Sequence, residues 1–339
     1  MPLYRYALRR LLFSIPLLFG ILLTAFVIAN LVPADPVSAN LSQSAMSNPE
    51  IVAAFRVEWG LDRPLSEQFL TYVRNLLQGN LGRSIKTRNA IAEDIRQYLP
   101  ATIELATTSI LVGVAVGIAL GVLAAARRER LPDHVIRGVS LVGISFPVFA
   151  LALVSLTVFH ARLGWAAGPG RLDFALRPPP AVTGFFTIDS LLAGQWDTFR
   201  NAVAHLVLPS LVLGSYVAGI LTRVTRSAML DVLGADYMRT ARAKGLRERA
   251  VILRHGLSNA LIPVVTVVGL SYGNLLGGAV LTESIFAWPG IGRYMFRAST
   301  AQDFPAIMGV SILIAVIYLV VNFVVDLLYY FLDPRIRVA

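Results

Sequence analysis

The chain has 339 residues, 56% of them hydrophobic and only 15% charged, a balance that excludes an ordinary soluble domain. It has no cysteine, which excludes disulfides and thiolate metal sites. A formal charge of +10, nearly all from arginine, would suit a nucleic-acid binder, but its placement along the chain decides otherwise.

Six apolar stretches are long enough to cross about 30 Å of hydrocarbon as helices, near residues 11–31, 101–126, 138–160, 203–222, 261–282 and 305–331. The expected fold class is therefore an all-α polytopic membrane protein with six transmembrane helices. The first stretch follows Arg5, Arg9 and Arg10 and lacks a small-x-small cleavage site, so it reads as a retained span and not as a signal peptide. Residues 1–31 form the N-terminus and first span, 32–100 a loop, and 101–339 the core with its other five spans.

The loop 32–100 is too long for a connector. It reads as short amphipathic helices: Glu50 to Trp59, a second after Pro64 ended by Gly79, and a third from Asn89 to Tyr98. The second has an apolar stripe of Leu65, Phe69, Val73, Leu76 and Leu77, suited to packing on the protein's own spans or to docking an external partner. Segment 127–137 contributes Arg127, Arg128, Arg130 and Arg137, and the loop 161–202 follows with Pro178-Pro179-Pro180 as an extended piece. Trp165 and Trp196 suit an interfacial belt.

The loop 223–260 is the most charged segment, with Arg239, Arg242, Lys244, Arg247, Arg249 and Arg254 against Asp236 and Glu248. Good helix formers run to Lys244, Gly245 supplies a stop, and a second helix carries Val251, Leu253, Leu257 and Leu261. With Arg5, Arg9, Arg10 and segment 127–137, this loop puts the excess positive charge on one face, so both termini are expected in the cytoplasm. That is membrane topology, and it argues against a nucleic-acid partner. The bland reading of the loop is a solvated basic connector.

Glycines recur every fourth residue at Gly113, Gly117 and Gly121, and again at Gly269, Gly273 and Gly277, giving smooth faces for helix packing that could also shift when a pathway opens. A leucine at Gly273 is accordingly expected to do more damage than one at the loop residue Gly184. Glu104, Asn322 and Asp326 are polar groups within spans, the two acids near opposite ends where water or neighbours can be reached. They are not aligned as a proton relay. Gly269 to Gly273 matches G-x-S-x-G, but mid-span and without a strand-turn-helix context, so a hydrolase is set aside. His134, His160, His205 and His255 form no H-E-x-x-H, and neither Lys86 nor Lys244 follows a glycine as a Walker-A lysine does. If ATP drives this protein, another chain binds it.

The segment RTARAKGL…RHGLSNALIP resembles the cytoplasmic coupling loop of ABC-importer permeases of the peptide-uptake branch. Arg239, Thr240 and Ala241 stand where many importers have Glu-Ala-Ala, a departure shared by that branch. LVPADP near Leu31, TGFFTID near Gly184, AVAHLVLP near His205, LTESIFAWPGIGR near Glu283 and the terminal DPRIR extend the likeness over nearly the whole chain. The resemblance implies a type I ABC-importer permease fold in the bacterial inner membrane and uptake of dipeptides or short oligopeptides. Implied partners are a second homologous permease, two ATPase subunits and an extracytoplasmic substrate-binding protein, besides membrane lipid. ATP and magnesium would bind the ATPases, leaving no cofactor, metal or catalytic residue here. Asp236, Tyr237, Arg239, Thr240, Ala241, Arg242, Ala243, Lys244 and Gly245 would form the coupling element, a helix too short to be stable alone and so expected to need an ATPase groove. Nickel and glutathione importers share the architecture, and a self-sufficient secondary transporter or channel is the competing class.

Overall fold

The computed structural model describes residues 3–31, 37, 41, 43–59 and 63–332, whose regular structure is helical, with one isolated bridge between Arg83 and Ala90 in the connecting turns and loops. Residues 32–36 of LVPADP and all of DPRIR lie outside the described residues. Helix α1 spans Leu3–Leu31, α2 Pro49–Trp59 and α3 Leu65–Leu77, ended by Gly79 at φ +78°. In α3 the apolar stripe is split. Phe69 is buried edge-on against Phe19 and Phe26 of α1, at 5.5 and 5.3 Å between ring centroids, while Leu65 and Leu77 stay exposed.

The next element, α4, runs unbroken over Ile91–Ala126. The expected short helix at 89–98 and the span at 101–126 are thus one helix, continuous through Pro100. Proline at that point removes one N–H donor but already has a helical φ. The turn is fixed by its neighbours: Ala101 is fully buried and its carbonyl accepts a 2.8 Å hydrogen bond from Trp288 Nε1.

The third expected span is not a continuous rod. Helices α5 (Leu131–Ser145) and α6 (Val148–Arg162) meet at 97° and supply a sixth crossing only as a pair, beside five long helices. Pro147 explains the break, because its ring disfavours helical backbone in the preceding residue. Phe146 accordingly sits at φ −79° and ψ 126°.

Helix α7 is Phe186–Leu192, α8 is Trp196–Leu233, α9 is Asp236–Ala243 and α10 is Glu248–Leu276, widened to a π-turn over Val251–Leu257. Short helices α11 (Val280–Ile285) and α12 (Ile291–Thr300) lead to α13 (Phe304–Leu332).

The core is organised by α4 on α8. A Cβ built at Gly113, Gly117 or Gly121 would come within 2.6, 2.6 and 2.5 Å of Val217, Leu221 and Thr225, so the helices run parallel in a constant four-residue register. Gly214 returns the fit against Ser109 O and Val112. The second ladder is tight at one end only. A Cβ at Gly269 would overlap Val325 of α13, but one at Gly273 or Gly277 would meet Tyr318 or Ile314 at ordinary contact distances of 3.4 and 3.5 Å. Close backbone approach therefore belongs to α4–α8 and not to α10–α13.

Candidate functional site

The short helix α9 opens with Asp236, favourable at a helix N-terminus, and stops where Gly245 takes φ +74°, a conformation that side chains resist. The cap is closed by Lys244 N to Thr240 O at 3.1 Å and Gly245 N to Arg242 O at 2.9 Å. Open space surrounds the Gly245 Cα, so only its backbone demands glycine.

Part of what this short helix needs to hold it comes from its own chain. Fully buried Met238 packs with Ala241 on Val251 of the π-turn, a small core of its own. The π-turn also brings Gly256 under the methyl of Met229, 3.2 Å from where a Cβ would stand. Arg242 lies across the Gly245 bend and donates to Glu248 at 2.9 Å, an intrachain contact between exposed groups. Arg239 and Asp236 pair at 3.5 Å in solvent. What remains open is one face: Tyr237, Arg239, Thr240, Ala243 and Lys244.

Of the polar groups within spans, Asp326 pairs with Arg10 of α1 at 3.0 Å. The beginning of α1 and the end of α13 thus share a face. Asn322 lines the cavity of about 360 Å³ beside that pair. Glu104 meets neighbours. It is buried, accepts from Arg171 Nη2 at 2.5 Å, and takes the Thr187 N–H and hydroxyl at 2.9 and 2.6 Å.

The structure adds residues that sequence reasoning missed or undervalued. Arg171 reaches from the loop 161–202 to Glu104, stacks 3.6 Å over the Phe186 ring and donates to Gly184 O at 2.9 Å. Gly184 is no slack loop position. It has φ +81°, and a Cβ there would lie 2.8 Å from Pro100. Asp189 ties the same loop by accepting from Val182 N, Thr183 N and Gly184 N at 3.2, 2.8 and 2.9 Å. Burial raises its carboxyl, but these bonds and the Thr183 hydroxyl outweigh that and hold it below the usual range.

Glu283 is a second buried anchor. It accepts from Thr102 Oγ1 at 2.8 Å and Arg293 N at 2.9 Å, at the N-terminus of α12. Burial pushes its carboxyl up against the pull of those bonds. On the opposite face, fully buried Asp133 is gripped by Arg226 at 2.6 and 2.7 Å, joining α5 to α8. His205 bridges Gly170 O and Asp173 Oδ1, both at 3.1 Å. No local pattern announces these pairs.

The helices thus form a membrane subunit with buried anchors on one face and a self-packed short helix on the other. The chain belongs to the binding-protein-dependent transport system inner membrane components: that family's model matches residues 117–338, and the model of its N-terminal part matches residues 3–106. It is a multi-pass inner-membrane permease subunit of the ABC importer class, and the self-sufficient carrier or channel is thereby set aside.

Among particular relatives, it is 45% identical to the di/tripeptide transport system permease of Pseudomonas aeruginosa, over 97% of both chains. It is 46% identical to the probable D,D-dipeptide transport system permease of Escherichia coli, over 94% of this chain and 93% of that one. A glutathione transport system permease of Salmonella choleraesuis is 39% identical over 98% of each. The fold matches the inward-facing MetNI methionine ABC transporter with TM-score 0.51 at 15% identity, over 69% of this chain and 94% of that one.

Proposed function

We propose that this chain is one permease of an ATP-driven importer of dipeptides or short oligopeptides. The observation that carries the substrate class is end-to-end identity of 42–46% with several dipeptide permeases, against 39% for the glutathione permease. In this reading a second, homologous permease completes the pathway, two ATPase subunits bind and hydrolyse ATP, and an external binding protein delivers substrate. The face carrying α9 is cytoplasmic, in keeping with its arginines and with the termini of α1 and α13 near the Arg10–Asp326 pair.

The coupling element works by shape and rigidity. Met238 and Ala241 hold α9 to the chain, so its open face, Tyr237, Arg239, Thr240, Ala243 and Lys244, enters an ATPase groove already folded. Gly245 fixes the angle at which α10 leaves it, so displacement of α9 is passed into the membrane helix.

The test is reconstitution in liposomes with the other subunits and a panel of peptides, nickel and glutathione. ATP-dependent accumulation of dipeptides is expected from the assembly, and neither ATP turnover nor uptake from this chain alone. Preferred uptake of nickel or glutathione would overturn the substrate, and ATP turnover by the purified single chain would overturn the division of labour.

A further inference from the structure

A cleft of about 190 Å³ opens on the face opposite α9, between the turn preceding α4 and the helix α12. Its floor is already satisfied. Tyr98 and Tyr294 stack with ring centroids 5.0 Å apart, and the fully buried Asp303 carboxylate accepts from Ser84 Oγ, Lys86 N and Ala306 N at 2.5, 3.1 and 3.2 Å. Glu283, behind the cleft, is engaged by Thr102 and by the Arg293 N–H.

The rim is different. Lys86, Arg293 and Arg297 all line the cleft, and among the described residues none of the three is in an ion pair. Arg293 is tethered, its Nη1 donating to Ala287 O at 2.6 Å, while Lys86 and Arg297 are exposed. Burial, and then the neighbouring Arg297 charge, hold the Arg293 guanidinium below its usual range. The one carboxylate lining the cleft, Asp303, is buried in the floor and taken up by neutral donors, so three rim cations face it with no ion-pair partner and leave the rim a receptor for a second anion.

We propose that this cleft receives an acidic side chain of the extracytoplasmic binding protein, held by Lys86 and Arg297 at the rim with Arg293 behind them. The inference rests on the importer reading above. Size favours a single side chain: small-molecule sites run to about 300–1,000 Å³, and at 190 Å³ this cleft suits one carboxylate on its stem. The rim also depends on the assembled outer face, since Lys86 comes from the turn preceding α4 and Arg297 from α12. A binding protein seated there reads both at once.

The test uses the complete assembly in phosphatidylcholine nanodiscs and the binding protein that sustains wild-type uptake in liposomes. Lys86→Glu with Arg297→Glu is expected to weaken binding about tenfold or more, mainly through slower association, and to flatten its salt dependence. Lys86→Arg with Arg297→Lys keeps wild-type affinity, and Arg200→Glu, an exposed reversal on the same face outside the cleft, changes it less than about threefold. If the double reversal lowers the melting temperature, the Lys86→Gln, Arg297→Gln variant serves instead, with a smaller shift in the same direction. Unchanged affinity and salt dependence overturn the proposal, as does an equal loss from Arg200→Glu. A raised KM for peptide with unchanged binding-protein affinity assigns the cleft to the peptide's own carboxylate and also overturns it. If no binding protein sustains uptake by the wild-type assembly, the importer reading itself fails, and this one with it.

Discussion

At the outer-loop face, Glu104, Arg171, Asp189 and Glu283 are buried and each is engaged by a partner, most from a distant segment. At the α9 face, Arg242–Glu248 and Arg239–Asp236 lie in solvent, and α9 is held by little more than Met238, Ala241 and Val251. The first arrangement fails badly when any one group is removed, because a buried charge is then left alone. The second costs little to alter within this chain and leaves a face free for others. Rigidity is invested where two loops must stay registered on α4, and adaptability on the face that we propose for docking a separate subunit.

The comparison breaks most visibly at Glu104. Glu104→Ala strands Arg171 in the protein interior and is expected to destabilise by about 3–5 kcal/mol, read as a lower melting temperature and rapid proteolysis of the loop 161–202. Glu104→Leu with Arg171→Met should recover much of that loss; failure of the pair to do better than the single change would mean that the charges are needed as such. Next in size is Gly184→Leu. It incurs about 1–2 kcal/mol of backbone strain and a further 1–3 kcal/mol from overlap with Pro100, so it should destabilise more than Gly273→Leu, measured side by side. This reverses the order that the sequence suggested.

Asp189→Asn is expected to cost about 1–3 kcal/mol by weakening the bonds that pin the 182–184 turn. The sign with pH follows from the lowered carboxyl. Its contribution is complete above the ordinary aspartate value of about 3.9 and is lost as pH falls through the lower, folded-state value. Protease protection of the loop should therefore hold to about pH 4 and decline below it, and the asparagine variant should lack that step.

At the coupling face the effects shift from stability to communication. Gly245→Val should cost about 1–2 kcal/mol in backbone strain, leave membrane insertion intact because its Cβ meets nothing, and weaken ATPase pull-down or uncouple hydrolysis from uptake. Wild-type pull-down and transport at equal expression would reduce the segment to a basic connector. Smallest of all is Glu248→Gln, which removes an exposed pair and is expected to change stability by less than about 1 kcal/mol.

Much of this division could be read from local pattern. Hydropathic runs located the membrane helices, and the stop at Gly245 was legible because glycine alone takes φ +74° without strain. The bend at Phe146-Pro147 was also written in the chain, since a residue before proline avoids helical backbone. The register of Gly113, Gly117 and Gly121 told of a close neighbour but not which one. The buried charges were less legible. Glu104 meets Arg171 and Glu283 meets Thr102 across long stretches of sequence, and pairing of that kind is set by how loops return to α4. Gly184 misled for the same reason: its constraint comes from Pro100, on another element.

The parallel glycine contact between α4 and α8 works like a toothed rack. Its teeth repeat every four residues, so the nearest alternative engagement lies about 6 Å along the axis, with nothing but clashing methyl groups on the way. The two helices therefore travel as a single beam, and spin labels placed on them should keep one separation throughout the transport cycle. On α10 and α13 a single tooth stands at Gly269 and Val325; the seam of Gly273 and Gly277 on Tyr318 and Ile314 has none, and the changing distances should be found there.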